Sequence, residues 1–436
     1  MHEKIREIDA DAFATDVLSK PFAVVDFYSD ECPPCEALAP KFEGLAGLYG
    51  DDVAFVKIFR QKNRELAESL GVRGSPTVLF FQGGERIGPT LSGGIRKSVL
   101  QAQLDAMVGE ERAVAIRARE TESVTTCDVL VVGAGPAGMT AALYAAQAKK
   151  SVIVVDAALA GGAMGSTDKI ANYPGFPKPV PGWMLAEHFR EQAASAGVQW
   201  RLASEITRID LGKKEVVIDR LETIRAGKIV LAMGTSPRPL DVPGEKELLG
   251  KGLSTCATCD AKYMGGKDVA VIGGGDAALE ESQLIAQFAD SVTIVHRRGE
   301  FRAKPQLVEE ARANPKIRFL LDTRPTSFAK AGEGIMVGLE NVTSGERQDL
   351  SFGGVFLFVG MLPNMDLVGH EALEKDEDGN VKVDEWRRTS LPGVYAVGDL
   401  VKKPVKQVTM AVADGTVAGI HAARDSSGSS SPTDRR

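Results

Sequence analysis

Four of the five cysteines stand in two Cys-x-x-Cys pairs, Cys32/Cys35 in "DECPPCEALAP" and Cys256/Cys259 in "TCATCDAKY". Thiols at this spacing either open and close a disulfide by thiolate attack or contribute to a metal site. Four-cysteine zinc sites place their pairs roughly 15–20 residues apart, with His as common company. Here more than two hundred residues separate the pairs, and none of the five His stands near either. The expectation is redox chemistry at two stations and no metal. Cys127, alone at the start of an apolar run, reads as a core residue rather than a fifth redox centre.

The elements that must position these thiols divide the chain into segments. At 436 residues it is too long for one core. In the front part, "FAVVDFY", "VAFVKIF" and "PTVLFFQGGERI" read as strands, the last folded back through a Gly-Gly turn. "EALAPKFEGLAGLYG" and "QKNRELAESLGV" between them have helical spacing, which predicts a small α/β domain over residues 1–108. Residues 109–126, charged and poor in large apolar side chains, read as a linker, helical at its start or extended. The Ser-rich residues 425–436 read as a disordered tail.

Two strand–glycine turn–helix units follow. "CDVLVVGAGPAGMTAALYAAQAKKSVIVVD" carries Gly133-x-Gly135-x-x-Gly138, with Pro136 and Ala137 entering the helix and Asp156 closing the second strand. Glycines there let backbone amides approach a pyrophosphate, and the acid takes ribose hydroxyls. "KDVAVIGGGDAALEESQLIAQFADSVTIVHRRGEFRA" repeats the pattern with Gly273-x-Gly275-Asp276-Ala277-Ala278. Its acid is replaced by His296, Arg297 and Arg298, with Arg302 close behind. Guanidinium groups suit a phosphate on the ribose 2′-oxygen, which favours NADPH over NADH.

Residues 127–424 closely resemble the bacterial low-molecular-weight thioredoxin reductases. Besides the two fingerprints, "GGAM" with Gly162 and Ala163, "NYPG" with Asn172, "LAMGTSPR" with Gly234 and "TSLPGVYAVGDL" with Gly398 and Asp399 match family flavin motifs. The resemblance implies FAD and NADPH as cofactors, with Asp399 on the ribityl chain. It also implies an FAD-binding domain in two parts, 127–241 and 364–424, around an inserted NADPH domain, 242–363, that carries "CATCD". Cys259 is then the sulfur nearer the flavin and Asp260 the general acid, and domain rotation on "SPRPLDVPG" and "GMLPN" exposes Cys256. Two departures fall beside the flavin ring: Ala163 replaces the usual glutamine, and Lys406-Gln407-Val408 replaces Arg-Gln-Ala.

The front segment resembles thioredoxin through "VVDFYSDECPPC" and "GVRGSPTVLFFQGGE". By that resemblance Asp26 is the buried carboxylate beneath the thiols, Lys57 its partner, and Pro76 a cis-proline facing the disulfide. A thiolate on Cys32 at a helix N-terminus is stabilised by the helix dipole, and Cys35 resolves the mixed disulfide. Asp26 can take the proton of Cys35 if burial raises its pKa. Pro33 adds stiffness and removes an amide that could serve the thiolate. Asp30, Glu31 and Glu36 ring the thiols with negative charge, which favours a cationic face on the partner.

The fold class implied is α/β, an N-terminal thioredoxin fold followed by two Rossmann-like domains of the pyridine nucleotide-disulfide oxidoreductase type. Electrons would run from NADPH to FAD, to Cys256/Cys259, to Cys32/Cys35 and to client protein disulfides. Two alternatives stay open: a peroxiredoxin reductase resembling the alkyl hydroperoxide reductase flavoprotein, and a front domain that serves only for docking. A homodimer follows from the same resemblances, and a peroxiredoxin is one client they allow. The net charge of −7 without a Lys/Arg-rich block argues against nucleic acid. No apolar run is long enough to span a bilayer, and the polar start predicts a cytoplasmic protein.

Overall fold

The computed structural model describes residues 3–167, 169–368 and 373–424. The side chains of Thr258 and Cys259, and the tail expected to be disordered, lie outside the described residues. The chain forms two compact units, passing into the second after Gly165 and again after Gly234, and returning at Leu185 and Met365.

The first unit opens with a five-stranded sheet in the order Ile5–Glu7, Ala54–Phe59, Phe22–Tyr28, Thr77–Gln82, Glu85–Ser92. The first three are mutually parallel and the last two antiparallel. "FAVVDFY" is apolar almost throughout because this central strand is covered on both faces. Val24, Leu38, Phe42, Phe55 and Phe80 fill one side, and Phe13, Val25, Phe27, Ile58 and Phe81 the other. The Gly-Gly turn is present, with Gly83 and Gly84 at φ +56° and +87°, values that a hairpin of this kind asks of both central residues.

The segment read as a linker is mostly part of this domain. Helix Glu110–Arg117 buries Ala113 and Ile116, three residues apart on one face, with Ile116 in the front core. Arg112 pairs bidentately with Asp52 at 2.8 and 2.9 Å, and Lys97 pairs with Glu120 at 2.9 Å. A two-residue apolar stripe on a charged helix is too narrow to stand out in sequence. The next strand starts at Ser123, ahead of Cys127, because it pairs in parallel with Glu222–Leu231 from its first residue. Residues 118–122 alone connect the two folds; even extended they reach only about 17 Å.

The seven-stranded sheet of the first unit runs Gln199–Arg201, Val152–Val155, Ser123–Val132, Glu222–Leu231, Glu215–Ile218, Ile206–Asp210, with Val394–Ala396 also paired to Glu222–Leu231. Helices Pro136–Gln147 and Val408–Arg424 pack against each other in its core. A Cβ at Gly415 would lie 2.3 Å from the Ala137 carbonyl oxygen, and one at Gly419 2.4 Å from that of Ala141. Only glycine permits so close an approach of two helices.

The second unit holds a parallel sheet in the order Leu253–Ser254, Gly354–Phe358, Asp268–Gly273, Ser291–Val295, Ile317–Leu320, and a three-stranded antiparallel sheet over Thr323–Phe352. The two segments read as hinge strands pair with each other: Thr235–Pro237 runs antiparallel to Met361–Pro363, Ser236 opposite Leu362. Segment 166–184, with "NYPG", groups with this unit rather than with the first.

Candidate active site

Cys32 caps helix Pro33–Tyr49, and its Sγ accepts the Cys35 amide at 3.3 Å. Pro33 and Pro34 occupy the first helical turn, where a missing N–H costs no helical hydrogen bond, so the Cys35 amide is left to serve the sulfur. Cys32 and Cys35 are joined in a disulfide and are 7% and 8% exposed. The Ser75–Pro76 bond is cis, and Pro76 is buried. Asp26 lies within the sheet, 1% exposed, with Lys57 Nζ at 3.9 Å from its carboxylate. Burial raises the Asp26 pKa to about 7, opposed by the Lys57 charge. Of the acidic ring expected around the thiols, Glu36 meets a cation from the same unit, Arg190 at 3.0 Å.

Cys256 caps helix Ala257–Asp260, the same placement that Cys32 has in the front domain. Ser254, which was not singled out in the sequence, ties this turn together: its hydroxyl accepts the Cys256 amide at 3.1 Å and donates to Asp260 Oδ2 at 2.5 Å. A serine two residues ahead of a cysteine carries no pattern by which it could have been found. The position of the Cys259 side chain lies outside the described residues. Cys127 is a half-buried free thiol packed at the edge of the core, and burial pushes its pKa up to about 12, which leaves it little thiolate character.

The first glycine turn separates its glycines by task. A Cβ on Gly133 would lie 2.4 Å from the Ala232 oxygen, and one on Gly138 1.9 Å from the Gly133 oxygen, so both serve close packing. Gly135 has open space where a Cβ would be, ahead of the uncapped helix Pro136–Gln147. Gly162 comes within 3.2 Å of Gly135, measured from the Cβ it lacks, so "GGAM" with Ala163 and the fingerprint turn form one surface. Asp156 accepts the Ala134 and Ala158 amides at 2.6 and 2.8 Å; burial raises its pKa and these hydrogen bonds oppose the rise. Gly398 sits against Ala137, and burial raises the Asp399 pKa against the charges of Lys406 and Lys403. Gln407 and Val408 stand at the start of helix Val408–Arg424, and Gly234 takes φ +65° after the central strand. Uncapped amides, open glycine and a ribose acid fit a dinucleotide pyrophosphate. Asn172 lies beyond the Ile170–Val180 bridge, in the second unit.

One residue of this site escaped notice in the sequence. Asp414, fully buried on the last helix, accepts the Gly398 amide at 3.0 Å and pairs with Arg387 at 2.9 Å and with Lys403. It holds the turn that carries Asp399, yet "ADGT" reads as an ordinary helical acid.

The second fingerprint repeats this division. Gly273 is crowded by the Phe358 oxygen at 2.5 Å from a would-be Cβ, whereas Gly275, capping helix Asp276–Ala286, faces open space. Gly274 between them must also be glycine, because a Cβ would sit 2.2 Å from His296 Nδ1. His296 stacks on Phe301, and burial lowers its pKa. Asp276 accepts the Lys304 amide at 2.8 Å, which anchors the Arg-rich turn beside Ala277. Arg297, Arg298 and Arg302 are exposed and have no ion-pair partner among the described residues. Three unpaired guanidinium groups beside an open glycine turn fit a phosphorylated dinucleotide.

A thioredoxin fold ahead of two dinucleotide folds, the second with its own dithiol, defines a flavin- and nicotinamide-dependent disulfide reductase with a built-in dithiol domain. Comparison with known proteins agrees. Residues 127–415 match the pyridine nucleotide-disulphide oxidoreductase family and residues 4–106 the thioredoxin family. The chain is 41% identical over 304 residues to the thioredoxin reductase of Mycolicibacterium smegmatis, which covers 69% of this chain and 97% of that one. It is 43% identical over 305 residues to a bifunctional thioredoxin reductase/thioredoxin of Mycobacterium leprae, spanning 69% of this chain and 66% of that protein. The solved thioredoxin reductase of Streptococcus pyogenes matches with a TM-score of 0.62 at 37% identity, over 68% of this chain and 97% of that one. The chain belongs to the pyridine nucleotide-disulphide oxidoreductase family, as a thioredoxin reductase with a thioredoxin domain at its front. It is an FAD-dependent, NADPH-using oxidoreductase of α/β fold that acts on thioredoxin or protein disulfides. Among the described residues no helix is long and apolar enough to cross a membrane.

Proposed function

We propose that the chain is a self-contained relay in which the rear dithiol reduces the front one, and the front one reduces client protein disulfides. The observation that carries this reading is that Cys32 and Cys256 each cap a helix in a chain that also holds two dinucleotide folds. When bound, FAD supplies the hydride-accepting, dithiol-generating centre between NADPH and the rear cysteines. Gly135, Gly162 and the Ala137 amide would cradle its pyrophosphate, with Pro136 setting the first helical turn, Asp156 would hold its ribose and Asp399 its ribityl chain. By the family resemblance, Gln407, Val408, Ala163 and Gly234 would line the ring. Gly275, Asp276 and Ala277 receive the second dinucleotide, with Arg297, Arg298 and Arg302 on its 2′-phosphate and His296 setting the turn.

The thiol steps then balance within the chain. The Cys256 thiolate attacks Cys32, forming a mixed disulfide and releasing Cys35, which takes a proton. Cys259 attacks Cys256, closing the rear disulfide and freeing Cys32, while Asp260 handles the proton at the rear pair. Cys32 attacks a client disulfide; Cys35 resolves it, giving its proton to Asp26, whose raised pKa suits a base near neutral pH. Homodimerisation, a cytoplasmic location and a peroxiredoxin client belong to this proposal through the family resemblance.

Anaerobic titration with NADPH and with NADH tests it, following flavin bleaching and counting thiols. Wild type is expected to gain four cysteine thiols beyond Cys127 with NADPH. Cys256→Ser is expected to bleach while Cys32 and Cys35 stay oxidised. Front thiols appearing in that variant would overturn the relay.

A further inference from the structure

The helix that begins at the front disulfide is seated on the flavin domain of its own chain. Ala37, two residues beyond Cys35, packs against the flavin-domain core. Lys41, one turn further, is 8% exposed, and its ammonium donates to the Leu202 and Ala203 carbonyls at 2.7 and 2.8 Å and to Ile95 in its own domain at 3.1 Å. An ammonium has three protons to donate, and all three are placed. Burial lowers the Lys41 pKa to about 8, with the Asp219 charge opposing, so the cation persists at neutral pH.

The receiving side has the geometry of a built site. Successive carbonyls of an extended chain point in opposite directions, so two neighbours cannot both reach one cation. Leu202 and Ala203 do so because Ala203, buried at 1% exposure, takes φ +50°, a left-handed conformation uncommon for a residue with a Cβ. That turn is held to the flavin site: the Ala203 amide donates to the Ala158 oxygen at 2.9 Å and the Ser204 amide to the Asp156 oxygen at 3.1 Å. On the front domain the contact continues at Gly94, whose would-be Cβ lies 3.3 Å from Leu159 and 3.7 Å from Ala203. Gly94 stands two residues beyond Ser92, which pairs with Thr77 next to Pro76. The covered face therefore flanks the disulfide from the helix side and from the cis-proline side.

We propose that the turn Leu202–Ser204, with Arg190, is a docking site on the flavin domain for the client-facing surface of the chain's own thioredoxin domain, with Lys41 as the seated group. Of the acidic ring around the thiols, Glu36 meets Arg190 here; Arg190 also pairs with Glu187 on its own helix, and the half-exposed Glu36 contact contributes less than Lys41. While docked, the front disulfide is shielded; to meet a client the domain must lift off, on a connection only residues 118–122 long.

The consequence for clients rests on the relay reading above, but the test does not. Full-length holoprotein, reduced with dithiothreitol rather than NADPH, is treated with a bulky maleimide, and labelling of Cys32 is timed by mass spectrometry. Lys41→Met keeps the apolar stem and removes the cation; it is expected to speed labelling by about tenfold or more, the signature of a weakened local closure. Gly94→Tyr places a ring in the Leu159 contact without touching either core, and is expected to do the same should Lys41→Met fold poorly. Equal rates in wild type and Gly94→Tyr would overturn the docking site. A wild-type rate that falls with protein concentration would also overturn it, by making the seated domain another copy's.

Discussion

Lys57 Nζ stands 3.9 Å from the Asp26 carboxylate, too far for a close ion pair, and the carboxylate is otherwise walled in by the sheet. Desolvation therefore outweighs the attraction, and the folded pKa rises from 3.8 to about 7. Between those values the folded chain keeps a proton that the unfolded chain has lost, so this group's contribution to stability falls as pH rises, the loss being complete above pH 7. Its full size is about 4 kcal/mol at most. Asp26→Asn is expected to unfold at higher urea than wild type at pH 8, with the gap closing toward pH 4. A gap of the same size at both ends would contradict the burial argument.

The same substitution removes the proton acceptor for Cys35. Client-disulfide reduction is expected to slow by roughly a hundredfold, the lower end for a positioned acid–base group. Flavin bleaching by NADPH, measured in the same preparation, should keep its wild-type rate.

Nothing among the described residues neutralises Arg298, so it is available to a phosphate. Arg298→Glu is expected to raise KM for NADPH roughly tenfold to a hundredfold, the worth of one charge-assisted hydrogen bond. KM for NADH should move little. Parallel losses with both nucleotides would point to damage of the fold instead.

Ser254 holds Asp260 and the Cys256 amide in one turn. In Ser254→Ala the acid loses its anchor, and rear-dithiol oxidation is expected to slow several-fold. Ser254→Thr, which keeps the hydroxyl, should restore the rate. Rescue failing with thiol content intact would remove Ser254 from a positioning role.

Gly415 meets the backbone of the fingerprint helix. Gly415→Val must push helix Val408–Arg424 off it, at a cost of about 1–3 kcal/mol for overpacking. Purified protein is expected to carry less FAD, read from the ratio of visible to ultraviolet absorbance, while the front domain still reacts with dithiothreitol as in wild type.

Much of this was legible from sequence because the functional parts are local. A fingerprint turn, a Cys-x-x-Cys at a helix start and an Arg-rich strand end are each complete within about thirty residues, and backbone geometry follows from glycine, proline and β-branched runs. Legibility failed where a residue acts through something distant. Helix Glu110–Arg117 looked like a linker because its buried side chains are just Ala113 and Ile116, and Ile116 meets a core built elsewhere. Asp414 looked like surface charge until Gly398, Arg387 and Lys403 closed around it.

The amino-acid sequence alone determined the chemistry: which atoms can carry electrons, which turns can hold dinucleotides, and in what order along the chain. Tertiary structure alone decided which of those groups are covered. Lys41 is seated by backbone carbonyls of Leu202 and Ala203, far away in sequence. Carbonyls belong to every residue, so no side-chain pattern announces them; only the folded path of the chain, with Ala203 turned to φ +50°, aims them at a cation.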